Sequence, residues 1–250
     1  MTRVLKDALA EWLHTRWWVG LGTIALLQWL LASVAGPASL GFQARGTAAV
    51  GVWVIELAGL LGAAAIGSRA IGGALEKGSA QLALAGDLSR GSWVLGRALG
   101  AASITGAWAA SLILVWLPVA WSWGLAGVGC LWALVGLTFK LWLITAWAML
   151  LGSVARAPAS HLACFALVFA GLFADEVLLY SASHPPLSRW LIHGLYLVVP
   201  DLDLFDIHGM ILGTSTLSGG SLAISGVYAC TAGILLGWLT SRVIRDKDLA

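Results

Sequence analysis

Two ionisable side chains, Glu56 and Lys140, stand inside otherwise apolar runs of this chain. A charge held among hydrocarbon costs about 2.5–3.5 kcal/mol on insertion scales, so such groups face a partner or water. At a rise of ~1.5 Å per residue, both sit at comparable depth when their runs are entered from the same side. They either touch or share a polar cavity, unless Lys140 snorkels to the boundary and Glu56 is protonated or satisfied by a neighbouring Ser or Thr. Asp175 and Glu176 fall near the end of another apolar run, where they reach water or meet a solute. His193, Asp201, Asp203, Asp206 and His208 have the chemistry of metal ligands. Turn-forming and capping roles suit that Asp-rich stretch better, and no metal site is expected. Cys130, Cys164 and Cys230 lack metal or redox spacing and read as small apolar residues. None of Lys6, Lys77, Lys140 and Lys247 lies in a Gly-x-x-x-x-Gly-Lys-Ser/Thr loop, and neither His-Glu-x-x-His nor Gly-x-Ser-x-Gly occurs. The chain is therefore expected to hold no catalytic residues and no cofactor of its own.

The elements that must position Glu56 and Lys140 follow from composition. Of 250 residues, 60% are hydrophobic and only 10% charged, against roughly 25% charged in ordinary soluble domains. A spanning helix needs ~20 mainly apolar residues. Six stretches qualify: Trp17 to Ala35, Ala48 to Ile66, Ala98 to Val119, Leu125 to Leu151, His161 to Tyr180 and Leu222 to Leu239. Continuous apolarity favours helices over barrel strands, which would alternate. The fold class read from the sequence is an all-α integral membrane protein with six transmembrane helices. Arg3, Lys6, Arg16, Arg69, Lys77, Arg90, Arg97, Arg156, Arg242, Arg245 and Lys247 fall in gaps on one side, whereas Arg45 and Arg189 fall on the other. Cations remain on the cytoplasmic side, so both termini are expected there. A net charge of +2 gives no reason to expect nucleic acid. Trp17, Trp18, Trp93, Trp121, Trp123 and Trp190 sit near stretch ends and read as interfacial anchors. Ser33-Val34-Ala35 imitates a cleavage site, but Trp17 to Ala35 exceeds the ~7–15 residues of a signal core. It is read as a retained span.

The connections divide a single transmembrane domain over 1–250. Residues 1–16 place Val4, Leu5, Ala8, Leu9, Trp12 and Leu13 at helical spacing, which predicts an amphipathic interfacial helix. Spans one and two occupy 17–66, and 67–97 is the largest cytoplasmic segment. In it Gly78 and Gly86 bracket a short helix-capable run, with Ser79 available as its cap and Ser89 as cap of the next helix. Glu76, Lys77, Asp87 and Arg90 rim this short helix, a shape another protein could grip. Spans three to five fill 98–180, with only Ala120 to Gly124 between the third and fourth. Residues 181–221 form a long outer segment whose Leu187, Leu191, Leu195 and Val198 predict a helix too short to span. It lies in the interface or re-enters partway. The last span and tail occupy 222–250. Gly96-x-x-x-Gly100 and the 31 glycines supply small residues for close helix contacts.

This layout resembles the permease subunits of ABC transporters, specifically the ABC type-2 membrane family. The likeness lies in six spans with both ends inside, an amphipathic start, and a broken helical element between the last two spans. It also lies in the loop after span two, where Glu76, Gly78, Ser79, Leu82, Leu84, Ser89, Arg90, Gly96 and Arg97 match the family pattern. Asp87 stands where the family has Pro, and Arg97 where it has Lys. Pro200, Asp201, Leu202, Asp203, Leu204, Phe205 and Asp206 are similar to a stretch in the branch tied to multicopper-enzyme maturation, including the permease of nitrous oxide reductase assembly. The resemblance implies an ATP-driven exporter in the bacterial inner or plasma membrane, with two permease copies or homologues and two separate ATPase subunits holding ATP and Mg. It also implies that the loop after span two is the coupling helix seated in the ATPase. It does not name the cargo. Two other classes remain open from the residues alone: an ion-coupled carrier or channel using Glu56 and Lys140, and a membrane scaffold in which polar residues only specify packing.

Overall fold

The computed structural model describes residues 4, 6, 10, 17–38, 43–84, 89–122, 128–173, 179, 199–205, 207–212 and 219–246. Among the described residues the regular structure is helical, without strands. α1 spans Trp17–Ala38, α2 Gln43–Ser68, α3 Ser79–Leu84, α4 Arg90–Ser122, α5 Val128–Val154, α6 Ala157–Leu172, α7 Ile207–Leu212 and α8 Gly219–Asp246. α2 continues through a π-helical turn, Arg69–Gly73, into Ala74–Glu76. A 3-10 turn over Asp203–Phe205 precedes α7. Four stretches are long and apolar enough to cross a membrane: Ala49–Glu76, Arg90–Pro118, Leu131–Val154 and Leu222–Asp246; Val19–Leu31 and Pro158–Leu172 are shorter apolar helices. This is the build of an all-α, multi-pass membrane protein.

Both faces of these helices are apolar, so residue size and shape rather than polarity distinguish inside from outside. In α2 the buried set Val52, Ile55, Glu56, Gly59, Leu60, Ala63, Ala64 and Gly67 recurs at helical spacing, while Trp53, Leu57 and Leu61 face outward. Glycine and alanine on the inner face let backbones approach, as packing between membrane helices requires. A Cβ at Gly152 would lie 2.9 Å from the Ser68 carbonyl oxygen, which only a glycine there avoids. α5 is the central helix and contacts α2, α4, α6, α7 and α8. Its Leu137, Leu141, Leu143 and Ile144 are fully buried with Leu112 and Trp116 of α4 in one core cluster. The outer faces carry Trp29, Leu114, Trp132, Leu162, Ile234 and Trp238 exposed. An apolar belt on that scale is expected to meet lipid.

A second, smaller core closes one end of the bundle. Val4, Ile71, Ala74, Ala80, Trp93, Val94, Ala101, Met149 and Ile244 cluster there. Val4 is buried whereas Lys6 and Ala10 are exposed, all three in helical conformation, in keeping with the amphipathic pattern; the rest of 1–16 lies outside the described residues. Arg69, Lys77, Arg90, Arg97, Arg156, Arg242 and Arg245 belong to the helix ends that meet at this pole, hereafter the basic end.

Several expected boundaries move. Within 67–97, α2 extends to Glu76, and α4 starts at Arg90, directly after the Ser89 cap expected for it. α6 begins at Ala157, with Arg156 extended before it and Pro158 in its first turn. It ends at Leu172 with 16 residues, whereas the span expected over His161 to Tyr180 continues into 174–178 and 180, which lie outside the described residues. Trp93 is not an interfacial anchor: at 1% exposure it lies in the basic-end core. Trp121, 74% exposed, does sit as an anchor would.

Candidate functional site

Glu56 and Lys140 meet. Lys140 Nζ donates to Glu56 Oε1 across the α2–α5 contact, and the two residues are 5% and 3% exposed. Each charge offsets part of the other's desolvation cost, which makes the pair more tolerable in an apolar core than either ion alone. Further along α5 toward the basic end, a hydroxyl chain links α4 to it: Thr145 Oγ1 donates to the Leu141 carbonyl at 2.8 Å. With its single hydrogen so used, Thr145 accepts from Thr105 Oγ1 at 2.9 Å. Trp108 Nε1 donates to the Ala58 carbonyl at 3.3 Å. Side chains thus hold α2, α4 and α5 together at mid-bundle by polar bonds. A carboxylate–ammonium pair in an apolar core supplies matched opposite charges between α2 and α5 and so specifies which faces of the two helices meet.

The basic end holds most of the loop residues singled out from sequence. Glu76 and Lys77 are exposed, and Gly78 turns the chain at φ +68°, a left-handed conformation that glycine adopts without cost. The Ser79 hydroxyl donates back to the Ala74 carbonyl at 3.1 Å. Ser89 does cap α4, accepting from the Ser92 amide at 3.2 Å while its own hydroxyl donates to Ser92 Oγ at 2.8 Å. Arg90 reaches across to α8, where its guanidinium donates to the Ile244 and Arg245 carbonyls. A cation there satisfies the last carbonyls of a helix and its dipole. Arg97 is buried, 7% exposed, with its guanidinium carbon 5.8 Å from the Trp93 ring centroid. Gly96 and Gly100 are buried in α4. Asp87, Asp175, Glu176 and Asp206 lie outside the described residues, as do the side chains of Leu82, Leu84 and Asp203.

At the far end the Pro200 stretch re-enters the bundle. Pro200, Leu202, Phe205, Ile207 and Gly209 are buried. Asp201 Oδ1 accepts from the Leu204 amide at 3.3 Å, the capping role expected of it. Asp201 N–H donates to Tyr228 Oη at 3.3 Å, and Ser225 Oγ to the Leu204 carbonyl at 2.8 Å. Sequence reasoning passed over Ser225 and Tyr228, although two hydroxyls three residues apart share one face of a largely apolar helix. It passed over Thr105 and Thr145 for the same reason: a single Thr in a span reads as a tolerated residue. No group of three or more His, Cys, Asp or Glu able to hold a metal occurs among the described residues. Cys164 is buried and Cys230 exposed.

No protein-family model matches the chain, and no curated protein is significantly similar to it.

Proposed function

We propose that this chain is the membrane-spanning permease subunit of an ATP-driven exporter of the ABC type-2 kind. It crosses the bacterial inner or plasma membrane six times, α1 and α6 being the two shorter spans, with both termini cytoplasmic. It works as two copies, or with a homologue, above two ATPase subunits that hold ATP and Mg. The observation that carries this reading is the elbow at the basic end: a six-residue helix, α3, hung between the ends of two long apolar helices with Glu76, Lys77 and Gln81 exposed. A short helix that seats Ala80 in the basic-end core and leaves Gln81 outward, with neighbours that enter the membrane on both sides, can pass a push from a docked protein into the bundle. Ser89 and Arg90 stiffen this joint, so that motion of α3 reaches α4 and the end of α8. The cargo is unidentified.

Co-purification tests the reading. An ATPase is expected in near-equal amount with the wild-type chain, and Leu82→Asp or Leu84→Asp is expected to release it while the permease stays folded. A chain that purifies alone from its native membrane, with both variants indistinguishable from it, defeats the proposal. The buried Glu56–Lys140 pair favours a second reading, an ion-coupled carrier. That reading requires the chain alone in liposomes to move solute along an ion gradient.

A further inference from the structure

We infer that Gln28 and Trp116 form a binding site for one uncharged hydroxyl oxygen, from water or from an amphiphilic alcohol, at the joint where α1 meets α2 and α4. The inference goes beyond the ATPase-coupled reading and does not depend on it.

The joint turns a polar group inward where an apolar one would ordinarily pack. α1 is peripheral: among those of its residues whose exposure is described, Gln28 alone is buried. Leu21 and Ile24 lean on the main core from the same side, while Leu26, Leu27, Trp29 and Leu30 face outward. Trp116 of α4 is fully buried. Gly51 of α2 lets the two side chains come together. A Cβ at Gly51 would fall 2.7 Å from Trp116 Nε1 and 3.3 Å from Gln28 Nε2. Any side chain there would collide with the indole, so glycine keeps carbon away from a point on which two nitrogen donors converge.

Those donors lack an acceptor. Gln28 Oε1 and Nε2 and Trp116 Nε1 are buried with no hydrogen-bond partner among the described residues. The amide carries two N–H groups and one carbonyl, and the indole carries one N–H. Turning the amide over would let Trp116 donate to Gln28 Oε1, yet both amide N–H groups would still be without an acceptor. The shortage therefore does not depend on the amide's orientation. Buried donors left in that state cost free energy, and a bound oxygen is the usual remedy. A hydroxyl oxygen between the two nitrogens offers a lone pair to each.

The surroundings select an uncharged ligand. Val52, beside Gly51, and Leu112, one turn from Trp116, are fully buried and apolar, so a lone ion here would meet no compensating charge from them. Glu56 lies five residues further along α2, about 7.5 Å away, and is paired with Lys140. The outward face of α1 is apolar, so an alcohol dissolved in the membrane and a water molecule both have the chemistry to supply the oxygen.

The test is nuclear magnetic resonance of the full chain in deuterated micelles, with the indole nitrogens isotopically labelled. Trp116→Phe identifies the Trp116 indole signal by its loss. Gln28→Met keeps the side-chain length and removes the amide. Trp108, whose indole donates to the Ala58 carbonyl, is the control. The Trp116 N–H is expected to show cross-relaxation to water or, once n-octanol is added, to the octanol methylene beside the hydroxyl. The first result assigns the oxygen to water and the second to an amphiphile. Gln28→Met is expected to weaken the water cross-peak or the octanol affinity about fivefold, the factor carried by one hydrogen bond, with Trp108 unchanged. A Trp116 N–H with neither cross-peak overturns the proposal, and a direct bond to Gln28 would give that result. A cross-peak indifferent to Gln28→Met overturns it as well. An equal cross-peak at Trp108 would mean solvent throughout the bundle and no site at this joint.

Discussion

Mid-bundle and the basic end solve the same problem in opposite ways. At mid-bundle, three polar contacts cross between helices: Lys140 to Glu56, Thr105 to Thr145, Trp108 to the Ala58 carbonyl. At the basic end they are spent on helix termini: Ser89 on its own first turn, Arg90 on the last carbonyls of α8. The difference follows from where water is. Helix interiors present no free backbone groups, so a polar side chain buried there must find another side chain or distort a carbonyl. Helix ends expose several unpaired groups each, which nearby side chains or water can satisfy. Pairs at mid-bundle therefore fix which helices meet, while caps at the basic end fix where helices stop.

The contrast can be broken most severely at the ion pair. Glu56→Gln or Lys140→Met alone leaves a buried charge without its partner and is expected to cost about 3–5 kcal/mol. The double replacement Glu56→Gln/Lys140→Met is expected to recover most of that loss. Reversible denaturant titration in mixed micelles measures both; a double variant as unstable as the sum of its singles contradicts the pairing. Gly78→Val comes next, at about 1–2 kcal/mol, because a β-branched residue is forced into the left-handed region. A chain whose melting temperature is unaffected by Gly78→Val would mean that the elbow turns elsewhere. Ser89→Ala should cost about 1 kcal/mol through loss of the α4 cap, and faster amide hydrogen exchange at Ser92 is the local readout. Arg90→Gln is the mildest, about 0.5–1 kcal/mol and diminished by salt. Its sharper signature is fraying of α8 over Ile244 to Asp246, seen as loss of exchange protection there and nowhere at mid-bundle.

What sequence reveals differs between these two regions for a physical reason. Charge in an apolar run is conspicuous, so Glu56 and Lys140 stood out, and matched depth along antiparallel helices made their meeting a live alternative. Ser89 was equally visible, since a hydroxyl three residues before the next apolar run is a local signal. Trp93 misled because, read locally, it belongs at a water boundary. In the fold, Ile71, Ala74 and Val94 build a core around it that no local window contains. Ser79 has a contact that no local window shows: its hydroxyl donates to the Ala74 carbonyl, five residues back across the turn at Gly78. The helical extension beyond Ser68 was hidden by Gly67, Gly72 and Gly73, which as single residues suggest a loop. With Gly67 against Thr145 and Ala148 and Gly72 against Gly152, two of them form the thin face that lets the α2 and α5 backbones approach.

By itself the sequence determined that the chain is helical and suited to hydrocarbon, where its cations gather, and which two charges needed an explanation. Those properties depend on residue type and on spacing along one helix, so they survive without any knowledge of neighbours. Only the tertiary structure decided which face of each uniformly apolar helix is core, that the Pro200 stretch turns back into the bundle, and that Arg90 serves the far end of the chain. When both faces of a helix are apolar, hydropathy carries no direction. Orientation then rests on the fit of glycine against side chain across helices distant in sequence, and that fit exists only once the helices have met.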